Sequence, residues 1–158
     1  MATNYTFKEY KQENMARAIG VSLPISFKQS VEICSFIRHK KISDAKEILS
    51  NVMKHKRAIP FKRFHHNIGH KTRIGVGRFP EKASEEILNL LNTVEANAQF
   101  KGLNTANLVI EHINANKASK VMRAGRKRSR QAKRTHIEIV VKEKNDRKEI
   151  YSTKDKGI

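Results

Sequence analysis

The sequence predicts an α+β fold in which three helices pack on a small antiparallel sheet and a long basic β-hairpin arm extends from the globular domain. Three segments carry apolar residues at helical spacing. Two β-branched segments, LVIEHI and THIEIVV, flank the stretch 117–134, which holds nine Lys or Arg and no acid. Because side chains with this much like charge cannot bury one another, we expect the stretch to be an arm that enters a polyanion, and nucleic acid is the expected one.

The N-terminal part of the chain combines a tail, a strand and a helix. Residues 1–14 are polar and aperiodic, so we expect a tail that orders only against a partner, and residues 16–20 fit an edge strand. The capping-box pattern of Ser26 and Gln29 opens helix one, which is predicted to end at about Arg38. Its buried stripe is predicted to contain Phe27, Val31, Cys34 and Ile37. A cysteine on that stripe is expected to be a core residue rather than a reactive thiol.

Two further helices follow. Ser43 and Asp44 open helix two, which is predicted to end near Lys56. The predicted buried stripe of helix two consists of Ala45, Ile48, Leu49, Val52 and Met53. Pro80 fits the first turn of helix three, and Gly102 stands where its C-terminal cap would be. The predicted stripe of helix three consists of Ala83, Ile87, Leu90, Leu91, Val94 and Ala98.

The stretches outside the helices are predicted to be a loop, two strands and the arm. Residues 57–79 lose all periodicity and fit a basic loop with three glycines and one proline. Residues 108–115 and 135–141 are predicted to be paired strands, with Ile137, Ile139 and Val141 on one face. The arm between them spans about 116–135. The expected division of the chain is a tail 1–14, a single RNA-binding domain 15–142 and a charged tail 143–158.

The high positive net charge of this chain indicates a nucleic-acid-binding protein. Its 158 residues contain 33 Lys or Arg against 15 Asp or Glu, a net charge of +18. No acid occurs in residues 51–80 or 112–137, so two basic zones alternate with two balanced ones. A phosphate backbone would relieve the resulting self-repulsion. No apolar run approaches the ~20 residues of a membrane span, and the single cysteine excludes an internal disulfide, so the expected compartment is the cytoplasm.

Four motifs stand out, namely SFKQSVEICSFIR, AIPFKRFHHNIGH, RFPEKASEEILNLLNTVEANAQFKGL and LVIEHINANKA. Together they resemble the ribosomal protein L22 family of the large subunit, in its archaeal and eukaryotic form, over roughly residues 17–142. The resemblance implies a structural protein without enzymatic activity or cofactor, whose partners are large-subunit rRNA and neighbouring ribosomal proteins. It also implies a globular domain near the opening of the peptide exit tunnel and a hairpin that threads through rRNA to the tunnel wall. Nascent chains and exit-site factors are then candidate partners.

One departure from the family concerns the arm. The family usually carries M-P-R-A followed by G-R, whereas residues 122–126 read MRAGR, and the arm is a few residues shorter. The missing proline and the shorter arm affect contact with the tunnel wall more than threading through rRNA, because threading depends on the stem of the arm and its charges. The tip that would face the tunnel is expected to consist of Arg123, Ala124, Gly125, Arg126 and Lys127.

The candidate rRNA-binding residues are of three kinds. Arg binds phosphate bidentately, Lys acts as a compact charge, and aromatic or His rings contact bases or phosphates. In strand one, helix one and the basic loop the candidates are Arg17, Ser26, Lys28, Arg57, Phe61, Lys62, Arg63, His65, His66, His70, Lys71, Arg73 and Arg78. In the arm they are Lys117, Lys120, Arg123, Arg126, Lys127, Arg128, Arg130, Lys133 and Arg134.

Several alternatives stay open at this point. Phe61 and Phe64 either stack on an unpaired base or pack the loop onto the core. The three loop histidines contact phosphate, lie exposed, or bind a metal, although no Cys or acid stands nearby to complete a metal site. A DNA-compacting architectural protein needs the same charges and β-arm, and a nuclease would use His65 or His66 as a general base.

Overall fold

The computed structural model describes residues 5–126 and 129–144. Its helices are α1 (Phe27–Ile37), α2 (Ile42–Met53) and α3 (Glu81–Phe100), with a 3-10 turn at Thr105–Asn107. Its strands are β1 (Met15–Leu23), β2 (Ile59–Pro60), β3 (His70–Lys71), β4 (Gly75–Arg78), β5 (Leu108–Lys117), β6 (Val121–Met122), β7 (Gln131–Ala132) and β8 (Thr135–Glu143). Three helices with small antiparallel sheets confirm the predicted α+β class. No helix in the described residues is long and apolar enough to cross a membrane.

The main sheet has the order β1, β8, β5, and both pairs are antiparallel. The central strand β8 places Ile139 opposite Ala18 of β1 and Ile113 of β5. Along β8, Ile137, Ile139 and Val141 are completely buried in the core, as their alternation predicts. Strand β1 lies at the edge of this sheet, which confirms the predicted edge strand.

The opposite face of β8 is buried as well. Glu138 and Val140 alternate with these core residues and are both buried, and the N-terminal residues contact this face at Glu138. The backbone N–H of Thr6 donates to the Glu138 carboxylate at 2.9 Å, and the Phe7 ring lies 5.2 Å from the His112 ring. The prediction that the N-terminal tail orders only against a partner is therefore wrong for residues 5–14, because its aromatic side chains cover the sheet of their own chain.

The helices form the other side of the core. Helix α1 packs on β5, α3 packs on β1 and β8, and α2 packs on α3. Each fully buried Ile or Leu, such as Ile33, Leu49 and Leu91, stabilises the fold by about 1.5–3 kcal/mol. The predicted stripes of helices two and three are confirmed except for Met53, which is half-buried.

The buried face of α1 differs in part from the predicted one. The residues of α1 that point inward are Ser30, Ile33, Cys34 and Ile37. Phe27 and Val31 are only half-buried, because Phe27 faces the basic loop rather than the sheet. Burial raises the pKa of the Cys34 thiol to about 12, which agrees with its predicted place in the core.

The N-terminal end of α1 departs from its sequence signal, whereas the C-terminal end of α3 follows it. Ser26 occupies the N-cap position of α1 with extended backbone, but its side chain makes no capping hydrogen bond, so the predicted capping box does not form. At the end of α3, Gly102 adopts a positive φ of 75°, as the predicted cap requires. The N–H of Leu103 donates to the Ala98 carbonyl at 3.0 Å and that of Gly102 to the Gln99 carbonyl at 2.9 Å, which is a Schellman motif.

The predicted basic loop contains a small sheet with the order β2, β4, β3. Its strands have two to four residues, too short to show a period of two in the sequence. Gly77 allows β4 to approach β2 closely, because a Cβ at this position would lie 3.0 Å from the Ile59 carbonyl oxygen and 2.9 Å from Ile74 Cδ1. The loop is therefore a folded element with a fixed path on the domain.

Candidate nucleic-acid interface

The two acid-free parts of the chain meet at the N-terminal end of α1. Three neighbouring cavities open there, with volumes of about 270, 390 and 400 Å³. Ser26 and Lys133 line all three cavities, and Lys28 lines two of them. We call this region the junction surface; the side chains that define it are Ser26, Phe27, Lys28, Phe64, His66, Arg78, Lys82, Lys117, Lys120, Arg123, Lys133 and Arg134.

The junction surface is uniformly positive. Its cations come from α1, the basic loop, α3 and both sides of the arm, and no Asp or Glu lines any of the three cavities. Concave surfaces of one sign focus the electrostatic field and raise the local concentration of anions. The N-terminal end of α1 borders the same cavities, and Ser26 does not cap its first N–H groups with its side chain. The surface therefore suits a phosphate-rich ligand.

Two phenylalanine rings position cations at the junction surface. Lys117 Nζ lies 5.5 Å from the centroid of the Phe27 ring, and Lys28 Nζ lies 5.6 Å from that of the Phe64 ring. Arg63 also lies over Phe64, at 5.5 Å. The two rings meet edge to face at 6.4 Å. Since a ring face attracts a cation, these contacts limit the freedom of three long side chains before any ligand binds.

A buried carboxylate fixes the basic loop beside these rings. Glu32 of α1 is 3 % exposed and accepts hydrogen bonds from three successive backbone N–H groups. The distances are 3.1 Å from Lys62, 2.9 Å from Arg63 and 2.7 Å from Phe64. Sequence reasoning missed this residue, because an acid on a helix usually lies on its solvated face. The one available signal is its place between apolar neighbours in the motif VEIC.

The base of the arm is anchored beside the same helix end. Arg134 Nη1 donates to the Ser22 carbonyl at 3.2 Å, and Thr135 Oγ1 donates to the Ile25 carbonyl at 3.1 Å. The Nε of Arg134 is buried and has no protein partner among the described residues. Arg134 is thus held by the backbone before α1 and is also part of the positive lining.

The arm continues the antiparallel pairing of β5 and β8. Lys117 pairs with Thr135, and beyond them Val121 pairs with Ala132 and Met122 with Gln131. The side chains of residues 121–126 are all exposed. The predicted tip is described as far as Arg126, while Lys127 and Arg128 lie outside the described residues, as do residues 1–4 and 145–158 of the predicted tails. The reach of the arm away from the domain stays a prediction.

The aromatic and histidine candidates of the loop have different environments. Phe61 is 5 % exposed and belongs to the core, which favours the packing alternative for this ring, and one part of it lines the 270 Å³ cavity. His65 and His66 are exposed with their rings stacked at 4.8 Å, and His65 Nδ1 hydrogen-bonds the Lys62 carbonyl at 2.9 Å. Within residues 5–126 and 129–144, no group of three or more His, Cys, Asp or Glu could hold a metal ion.

Some candidate residues lie outside the junction surface. The guanidinium of Arg17 lies between the rings of Tyr5 and Tyr10, 4.5 and 4.4 Å from their centroids, which gives it a structural role on the sheet. Arg57 lies over Phe36 at 5.4 Å and Lys71 over Phe79 at 5.4 Å. The candidates that line none of the three cavities are Arg17, Arg57, Lys62, Arg63, His65, His70, Lys71, Arg73, Arg126 and Arg130.

Comparison with known proteins identifies a family for this sequence. The profile of the family described as ribosomal protein L22p/L17e matches residues 18–142. The large ribosomal subunit protein uL22 of Archaeoglobus fulgidus is 41 % identical over 145 residues, which cover 87 % of this chain and 94 % of that protein. The uL22 of Methanoculleus marisnigri is 42 % identical over 140 residues, covering 83 % and 91 % of the two chains. The uL22 of Staphylothermus marinus is 38 % identical over 151 residues, covering 89 % and 96 %.

These matches extend over the helices, the basic loop and the strands that carry the arm, and they confirm the resemblance inferred from the motifs. A ribosomal protein family also agrees with the prediction that the chain is not an enzyme. The chain belongs to the ribosomal protein L22p/L17e family.

Proposed function

We propose that this protein is a structural constituent of the large ribosomal subunit and binds large-subunit rRNA through the junction surface and the arm. Membership of a ribosomal protein family and the names of its relatives support the first part. The observation that carries the second part is the meeting of both acid-free zones on one concave, acid-free surface. A protein of this kind works in the cytoplasm, where ribosomes translate.

Phosphate contacts supply most of the binding free energy in this proposal. The arginines make bidentate contacts with phosphate, the lysines act as mobile charges, and neutralised phosphates release counterions. If six to ten phosphates are contacted, affinity falls by roughly 10³ to 10⁵ between low and moderate salt, on the precedent of duplex DNA. The contacts of Lys28 and Lys117 with aromatic rings favour this function, because cations that are already positioned lose less side-chain entropy on binding.

The finer part of the proposal concerns the place of the protein in the subunit. The domain 15–142 lies near the opening of the peptide exit tunnel, with neighbouring ribosomal proteins beside it. The arm threads through rRNA toward the tunnel wall with residues 123–127 at its tip, where a nascent chain or an exit-site factor comes within reach. Pairing of Arg123 N–H with the Arg130 carbonyl at 2.9 Å supports a two-stranded arm up to this tip. The short, proline-free arm favours a role in assembly over contact with the tunnel constriction.

Sedimentation of cell extract through a high-salt sucrose gradient tests the proposal, with the protein quantified by peptide mass spectrometry. We expect the protein to remain with the large subunit in a ratio of one to one. The same protein should bind a transcript of Archaeoglobus fulgidus large-subunit rRNA far more tightly than duplex DNA with the same number of phosphates. A protein that washes off and prefers duplex DNA would instead be a DNA-compacting architectural protein with this fold.

A further inference from the structure

Glu32 stands out because it brings a negative charge into the basic zone. Residues 51–80 contain no acid, and yet three of their backbone N–H groups converge on this carboxylate from α1. Successive N–H groups that point at one anion form a nest, which in many proteins binds phosphate. Here the anion is supplied by the protein itself, since the Glu32 carboxylate occupies the nest in the free chain.

The side chains beside the nest remain available to a ligand. The ion pairs seen in the described part of the chain are Lys46–Glu95, His55–Glu81 and His112–Glu138. Glu32 takes part in none of them. The carboxylate is satisfied by backbone donors, so the side chains of Lys62 and Arg63 stay exposed. Anchoring of the loop and exposure of its cations are thus achieved by the same residue.

The position of Phe64 depends on the same contact. The shortest of the three hydrogen bonds, 2.7 Å, goes to the Phe64 N–H, and the Phe64 ring then lies against Phe27 and under Lys28. Without the carboxylate, three partly buried N–H groups would lose their acceptor, and the loop would gain conformational freedom. The ring could then no longer hold Lys28 at the cavities or Arg63 over its own face.

We propose that Glu32 is a positioning residue for RNA recognition, which holds residues 62–64 in their binding conformation before RNA arrives. This inference rests on the proposed function, because it assigns a role to a residue that supports the rRNA-binding surface without touching the RNA. The ordering entropy of the loop is lost during folding instead of during binding, so the RNA is bound more tightly.

The test uses Glu32→Gln and Glu32→Ala in the full chain, with Glu47→Gln as the matched control. Glu47 is exposed on α2, so its replacement makes the same change in net charge away from the junction surface. Amide hydrogen exchange of residues 62–64 is measured in the free protein, and the dissociation constant is measured with the Archaeoglobus fulgidus large-subunit rRNA transcript. Exchange of core amides in the same experiment shows whether each variant is folded, and the glutamine variant keeps the size of the side chain.

Both Glu32 variants should exchange the amides of residues 62–64 about tenfold faster or more, because alanine removes the acceptor and glutamine removes its charge and one of its two oxygens. Their dissociation constants should rise about tenfold, with an unchanged salt dependence, since no cation has been removed. The control should bind equally well or slightly more tightly, because it carries one negative charge less.

Unchanged amide exchange, or faster exchange with unchanged RNA affinity, would overturn the proposal. A smaller salt slope in the Glu32 variants would also contradict it, because that would mean that phosphate contacts were lost. If the wild-type protein shows no preference for rRNA over duplex DNA, the proposed function fails, whereas the exchange result still reports whether Glu32 orders the loop.

Discussion

Replacing Lys133 by alanine tests one phosphate contact that we propose for the junction surface. Lys133 lines all three cavities, its side chain is exposed, and within the described residues it makes no hydrogen bond or ion pair. Its removal should therefore change the free energy of unfolding by no more than about 0.5 kcal/mol. Any larger effect of Lys133→Ala should appear in RNA binding alone.

The magnitude follows from counterion release. One phosphate contact contributes about 0.7–0.9 to the slope of log affinity against log salt. At about 0.1 M salt, loss of one such contact weakens binding about five- to eightfold, which is about 1 kcal/mol. Filter binding or fluorescence anisotropy with the rRNA transcript, repeated over a range of salt concentrations, measures both the affinity and the slope.

Lys54→Ala is the control for this measurement. Lys54 is also exposed, follows the last residue of α2 and lines none of the three cavities. It should leave the salt slope unchanged. The reasoning is refuted if Lys133→Ala keeps the wild-type slope, or if both variants reduce the slope equally, since the charge of the chain as a whole and not the junction surface would then determine binding.

Two further predictions concern stability. Burial alone would raise the pKa of Glu138, but hydrogen bonds from Thr6 and His112 outweigh it and hold the pKa below the usual 4.5. The carboxylate therefore stabilises the fold above pH 4.5. This stabilisation is lost as the pH falls through the lowered pKa of the folded state. Thermal unfolding between pH 7 and pH 3 should therefore lose less stability in Glu138→Gln than in wild type, and equal losses would contradict this. Gly77→Ala should destabilise the protein by about 1–3 kcal/mol in urea unfolding, because its Cβ would meet the Ile59 carbonyl and the Ile74 side chain, whereas Gly69→Ala enters open space and should cost far less.

Local periodicity was sufficient to predict the elements that bury an apolar stripe. Helix α2 buries Ala45, Ile48, Leu49 and Val52 as predicted, because side chains at helical spacing face the same neighbour. Gly102 ends α3 as predicted, because the positive φ of a Schellman motif favours glycine over other residues. In these elements the information lies within a few residues of the chain.

The sequence failed where a long-range contact overrides the local signal. Glu32 is buried because N–H groups 30 to 32 residues away satisfy it, and no pattern around Glu32 reports them. Ser26 fits a capping box but does not cap, and the aromatic residues of the tail cover a sheet face completed by β8. For the candidate site, the charge pattern shows the two basic zones, but their meeting at the end of α1 depends on tertiary packing alone.

The central position of β8 has a consequence for how the chain folds as it is synthesised. Strands β1 and β5 pair with β8 and not with each other, so the main sheet is incomplete until Thr135–Glu143 has left the ribosome. By then both basic zones have already been translated, without the finished core behind them. Contacts between strands so distant in sequence form slowly, and a highly cationic unfinished chain attracts any nearby polyanion. We therefore expect newly made copies to attract cellular RNA most strongly during the interval between synthesis of the arm and closure of the sheet.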